Sequence, residues 1–417
     1  MNAAVERVIA ELGATPRATG AAPALREALA RGLPTTRDEN WKYASLRALE
    51  RVRLQPVLPQ SPALEQARAV LPARLEAHHR IVLVDGELVP ALSDPLPAGV
   101  SFAVPSSPPA SHADGDLRWA AVNAAFATGE LKVGVDTSGA LAIEVCCVTT
   151  LDAAAGASHP RLSLRLAPSA RLSVVERQLS PAQSTALTNI AIDAEIGTAA
   201  NLRHVRVQTL GDRAQYLDTV CVRAGADARY EQLHVQLGAQ AARSTGRIEL
   251  AGRGASCLMQ VAALADGTRV HDGYCLIDHQ APQTSTEQRI RGIAAQRARV
   301  AFNGHIRMAA GAVGAASDQS LRGLQSGTQC EIDLRPQLEI YVDAVKAAHG
   351  ATVGKLDEQM LFYLMSRGLD RDTAQGLLKW AFVADVLTRL ATGPLRRQIE
   401  VALARHMGDA PTLQEAS

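Results

Sequence analysis

The chain has 417 residues, with Lys+Arg 43 against Asp+Glu 42 and 47% apolar residues. That length suffices for two or three domains with a large core, and the near-zero net charge gives no general attraction to nucleic acid or anionic lipid. Aromatic residues are only 3%, so the core must be built from Ala, Leu, Val and Ile.

The N-terminus has no apolar stretch of the signal-peptide kind. No run of about 18 apolar residues suggests a membrane span. A cytoplasmic protein is expected. Residues 1 to about 50 read as helical. One short helix runs from Ala3 to Leu12 and ends at Gly13; another runs from Pro23 to Arg31, with Gly32 as its C-cap. A polar stretch, Pro34 to Tyr43, follows and carries Trp41. Residues 55–62 hold three prolines and read as a linker. Ile81 to Val89 predicts a hairpin turning at Asp85-Gly86. Residues 104–112, rich in Pro and Ser, read as a loop.

From about residue 130 to 345 the texture is strand-like. Arg161 to Leu166, Leu202 to Val207 and Val300 to Phe302 alternate apolar and polar, as half-buried strands do. A pattern small-x-x-Ala-x-apolar begins at Ala167, Gly197, Gly225 and Gly252, that is, every 27 to 30 residues. A fifth match begins at Ala295, after a gap holding Asp266-Gly267 that reads as a hairpin excursion. A strand-rich repeat of this length implies stacked coils with a small residue at each tight turn. The fold class expected is mainly β, a β-helix. The competing architecture is a β-sandwich in which the Gly and Ala spacing is chance.

From Thr352 onward the pattern is helical again. Asp357 to Arg367 has Met360, Leu361 and Leu364 on one face and ends at Gly368. Asp370 is placed to cap the next helix, which carries Leu377, Leu378, Ala381, Phe382 and Leu387 and stops near Gly393-Pro394. A third helix holds Ile399, Leu403 and His406. The division that follows is 1–80 helical, 81–350 β-helix with its entry hairpin, and 351–417 helical.

The six cysteines include no CxxC. Adjacent Cys146 and Cys147 point to opposite faces of a strand, and each thiol reads as buried and inert. His271-Asp272 and Asp278-His279 flank Cys275; on an edge hairpin these read as solvated polar positions rather than a metal site. Arg289, Arg291, Arg297 and Arg299 are expected on a solvated sheet face or a subunit interface. There is no GxxxxGK[ST] and no GxSxG, so neither ATP hydrolysis by a P-loop nor a serine-hydrolase elbow is expected.

Two segments carry a family likeness. The first is Arg37-Asp38-Glu39-Asn40-Trp41-Lys42-Tyr43-Ala44-Ser45-Leu46. The second is longer. It begins with Arg297 to Ile306, takes in Pro336 to Asp343, then His349-Gly350-Ala351-Thr352-Val353-Gly354, and continues through Leu361 to Gly368 as far as Leu387. On these the chain resembles the SufB/SufD family, and its SufD members in particular. The resemblance implies an N-terminal helical region, a right-handed parallel β-helix core and a C-terminal helical domain. It also implies a non-enzymatic scaffold of the SUF iron–sulfur cluster assembly complex. The partners would be a SufB-like paralogue and a SufC-like ABC ATPase, the latter docked through the C-terminal helical domain, with a homodimer when the chain is made alone.

Family members of the SufD kind commonly carry a cysteine two residues before the histidine of the His-Gly-Ala-Thr motif. Here that position is Ala347, and Asp343-Ala344 replaces the more usual paired acids. His349 is then the soft or borderline ligand left in the motif. The expectation is a transient iron or cluster ligand shared with the partner subunit, and no tightly bound cofactor. The open strand edge Leu338 to Val342 is expected to pair with a like chain. The surplus apolar surface of the C-terminal helices is expected on the end coil. Two other functions fit a β-helix: a carbohydrate-active enzyme, disfavoured by the scattered Asp and Glu, and a purely structural homodimeric adaptor.

Overall fold

The structure, a computed structural model, describes residues 3–13, 21–30, 32–45, 49, 52–105 and 115–407. From Glu130 to Lys355 the chain winds through eight coils, each giving one strand to each of two facing sheets. The front sheet begins with Glu130–Val135 and ends with Glu331–Ile340; the back sheet has Ala140–Val148 in the first coil and Lys346–Lys355 in the last. Every strand pairs in parallel with its equivalents one coil before and after, as in Arg161–Leu166 beside Leu187–Ile196. The fold is a parallel β-helix, not a sandwich. Strand alternation sends Leu162, Leu164, Leu172, Val174, Ile190 and Ile192 into the space between the sheets, where they form one continuous core.

The sequence repeat is the turn that joins front to back strand. Its third residue has positive φ in seven successive coils: Ser138, Ser169, Ala199, Asp227, Gly254, Gln283 and Gly314. That residue's N–H donates to the turn of the next coil, from Ser169 to Thr198 O at 2.8 Å and from Ala199 to Ala226 O at 2.8 Å. The fourth residue closes the turn, Ala200 N–H to Gly197 O at 3.1 Å. Stacked turns leave no room for side chains: a Cβ on Gly252 would meet Ala226 N at 2.0 Å. Two details differ from the sequence reading. The match at Ala295 belongs to the opposite edge of the β-helix. Asp266-Gly267 is also a coil-to-coil turn on that edge and not a hairpin, since Ser256–Ala265 and Val270–His279 lie in different sheets.

The entry hairpin is as expected, with His79–Val84 antiparallel to Glu87–Leu88 and positive φ at Asp85 and Gly86. The second helix runs Ala21–Ala28; Arg31, its expected end, Leu46 of the N-terminal signature and most of the Pro- and Ser-rich stretch at 104–112 lie outside the described residues. Two helices escaped the sequence reading, Ser61–Val70 and Arg118–Phe126. Pro62 of the first sits in the opening turn, where no amide N–H is needed. The second is apolar on nearly every side and is buried. With Val5, Val8, Leu12, Leu25, Leu29 and Trp41 it packs on the outer face of the front sheet at Leu187 and Leu217.

The N-terminal signature lies as a strap across that same face. Asn40 Oδ1 accepts from Asn303 Nδ2 at 3.0 Å, Glu39 pairs with Arg335, and the Arg243 guanidinium stacks 4.3 Å from the centre of the Trp41 ring. The C-terminal helices are Glu358–Ser366, Arg371–Ala384 and Pro394–His406. Asp357 and Asp370 cap the first two, each accepting backbone N–H bonds. They do not cap the end coil. Val383, Val386, Leu387, Ile399 and Leu403 pack instead on the outer face of the back sheet, against Val205, Val207, Leu233, Val235, Leu264 and Ile293. The physical reason is the back sheet itself: its outer face alternates aliphatic residues over several coils, a larger apolar area than one end coil presents. Among the described residues no helix is long and apolar enough to cross a membrane.

Candidate functional site

The last coil is where both sheets stop. Among the described residues Glu331–Ile340 and Lys346–Lys355 each pair with one strand, so both present an unpaired backbone edge. The turn between them is held by Gly314 N–H to Ala344 O at 2.7 Å and Lys346 N–H to Ala315 O at 2.9 Å. Every residue of Lys346–Lys355 is exposed, His349 included. Register places His349 opposite Gln319 and Ala351 opposite the core residue Leu321, so the imidazole stands on the interior-facing side of the open coil. Ala347, two residues earlier, shares that side and offers no ligand atom. Asp343 is exposed in the adjoining turn. Ile340 and Tyr341 are exposed beside it, as is Val353 further along the edge.

Among the described residues no three His, Cys, Asp or Glu side chains converge to hold a metal ion. All six thiols are buried. Burial pushes Cys146 and Cys257 up to about 12 and holds Cys147 and Cys275 well above the usual thiol range, so these sulfurs stay protonated and unreactive.

The other polar residues singled out in the sequence are placed differently from expectation. His271, Cys275 and His279 face the interior and are buried. Asp272 and Asp278 face outward on the same strand, covered and paired with Arg243 and Arg307. They neither converge nor meet solvent, because alternation along one strand splits them between two faces. Arg291 is also buried and pairs with Asp385 of the C-terminal region, whereas Arg297 is exposed in a turn and Arg299 bonds Glu331.

The sequence reading missed a charged cluster inside the β-helix. Arg206 bonds Glu176 at 3.1 Å and the Tyr216 hydroxyl at 3.2 Å, and forms an ion pair with Asp218 at 3.2 Å. His204 Nε2 lies 3.0 Å from Glu176. Burial alone would raise the Glu176 carboxyl, but Arg206 and His204 outweigh it and hold the group far below the usual carboxylate range. At Asp218 burial prevails and the carboxyl is raised. The one sequence signal available was charge at alternate, inward positions of predicted strands.

The architecture is a two-sheet parallel β-helix, flanked by helices and ending in an open coil. The family model for the SUF system FeS cluster assembly SufBD core domain matches residues 149–382, and this chain belongs to that family. It is 27% identical over 406 residues to the iron–sulfur cluster assembly protein SufD of Escherichia coli, covering 95% of each chain. It is 25% identical over 391 residues to a SufBD family iron–sulfur cluster assembly protein of Synechocystis, covering 88% of this chain and 86% of that one. The match to the chloroplastic protein ABCI7 of Arabidopsis thaliana is 24% over 243 residues, spanning 58% of this chain and 51% of that one.

Proposed function

We propose that the chain is a non-catalytic scaffold subunit of a SUF complex that builds nascent iron–sulfur clusters and passes them on. The observation that carries this reading, within the family, is the open last coil with His349 on its interior-facing side. Unpaired strands flanked by Ile340, Tyr341 and Val353 suit edge-to-edge pairing with a SufB-like chain of the same fold. Made alone, the chain pairs with a second copy at the same edges. A lone imidazole at that junction supplies one ligand to iron or to a cluster, and the partner supplies thiolate and carboxylate. A site divided in this way suits cargo that must leave, since few bonds from any one chain have to break.

The first C-terminal helix suits an ATPase of the SufC kind. Met360, Phe362, Tyr363 and Met365 are exposed, Phe362 by 74%, around the buried Leu361. Deleting these helices would uncover the back sheet, so point substitutions are the cleaner test. Phe362→Glu with Tyr363→Glu is expected to lose the ATPase in co-purification at an unchanged thermal midpoint; retention of the ATPase would remove this helix from the interface. His349→Ala is expected to leave folding and complex assembly intact and to cut iron–sulfur enzyme maturation in cells by about tenfold or more. Normal maturation in that variant would show His349 to be structural only.

A further inference from the structure

We infer that Gln319 is the positioning residue of His349: its side-chain carbonyl accepts a ring N–H and leaves the other ring nitrogen directed outward for the metal. The inference rests on the reading of His349 as a ligand. It starts from a column of side chains along the axis of the β-helix. His349 is opposite Gln319, Gln319 opposite Gln288, and Gln288 opposite Met259. In-register neighbours of parallel strands stand about 4.8 Å apart, so each can reach the next.

The column has a direction. Gln319 Nε2 donates to Gln288 Oε1 at 2.6 Å and to the Gly304 carbonyl at 3.0 Å. Gln288 Nε2 in turn approaches Met259 Sδ at 3.3 Å. A backbone carbonyl only accepts, so Gly304 fixes which end of the Gln319 amide is nitrogen. Gly304 also keeps the space: a Cβ there would come within 2.4 Å of both Gln288 Oε1 and Gln319 Nε2. Among the described residues the amide oxygen of Gln319 is buried and without a partner, a state that carries a free-energy penalty. The next residue in the column is His349, whose ring has no hydrogen-bond partner among the described residues. Among the described residues no strand lies beyond it.

An imidazole that binds a metal through one nitrogen normally donates the N–H of the other to a carbonyl or carboxylate, which fixes its tautomer and its direction. Gln319 meets that requirement from within the chain, while thiolate and carboxylate ligands come from outside it.

The test uses the full chain with Gln319→Met and, as its control, Gln288→Met one coil deeper. Met259 already occupies the same column, so the fold accepts a thioether at this register. In cells that depend on the chain, Gln319→Met is expected to lower iron–sulfur enzyme maturation by about tenfold, and Gln288→Met by less than about twofold. In nitrogen-15 spectra of the purified chain, assigned by subtracting the His349→Ala spectrum, the His349 ring should hold a single tautomer in the unsubstituted protein and in Gln288→Met. It should average between tautomers in Gln319→Met. An averaged ring in the unsubstituted protein overturns the assignment without recourse to any variant, and so do equal effects of the two methionine substitutions. A Gln319-dependent tautomer combined with normal maturation in His349→Ala would leave the positioning role standing and overturn the ligand reading instead.

Discussion

Lowering the pH from 7 to 5 is expected to remove most of the folding free energy of this chain. Three buried histidines are responsible: burial lowers His159, His271 and His279 from 6.5 to about 4. Each is built into the fold as a neutral ring. His159 Nε2 bonds Leu54 O at 2.7 Å and stacks on Phe126, His271 Nε2 bonds Gly238 O at 2.9 Å, and His279 lies between the hydroxyls of Thr284 and Thr286. Burial also lowers His204 and His234. A folded value below the unfolded one means that the unfolded chain binds more protons between about pH 6.5 and 4. Stability is therefore fully present above 6.5 and is lost as the pH falls through that window. Each ring contributes a slope of about 1.4 kcal/mol per pH unit, and three give roughly 4 kcal/mol per unit against a typical total of about 5–15 kcal/mol. Denaturant midpoints at pH 7, 6 and 5 measure the effect. His271→Gln should remove its own share of the slope, about 1.4 kcal/mol per pH unit. A midpoint constant from pH 7 to 5 would refute the account.

Arg206→Met should destabilise the protein by about 3–5 kcal/mol at neutral pH. The residue is 2% exposed and lies between Glu176 and Asp218, both also buried. Methionine fills similar space but leaves two carboxyl groups in the core without their cation. The loss should shrink at acid pH, because in the variant Glu176 no longer has Arg206 to hold it ionised. Adding Glu176→Gln and Asp218→Asn should restore much of the stability, since neutral amides carry no unpaired charge. Equal stabilities for Arg206→Met and the triple variant would show that the charges contribute nothing.

The β-helix was legible in the sequence for a physical reason. Stacked turns exclude side chains, so small residues recur at the coil period. The coil that turns at Gln280 to Thr284 escaped notice because Thr284 replaces the usual Ala, and the Ala295 match was misplaced because both edges of the β-helix use similar turns. Arg118–Phe126 was not legible because a helix buried on nearly every side has no period. The pairs His271-Asp272 and Asp278-His279 were read as solvated because their partners, Arg243 and Arg307, lie about a coil away in sequence. At the candidate site, His349 came from a resemblance of motif. Gln319 could not: it stands 30 residues earlier, and only strand register makes the two neighbours.

The C-terminal helices hold one more consequence. Gln398 meets Arg177 in the second coil, the Arg389 carbonyl meets Arg203 in the third, and Asp385 meets Arg291 in the sixth. In an ordinary repeat array each unit touches only its neighbours, so units can be gained or lost at little cost. Here a single helical splint is fastened at several points along the array. Inserting or removing one coil between those points would slide one attachment by about 4.8 Å relative to the others. The splint therefore acts as a ruler. It fixes how many coils lie between its attachments, from the second to the sixth.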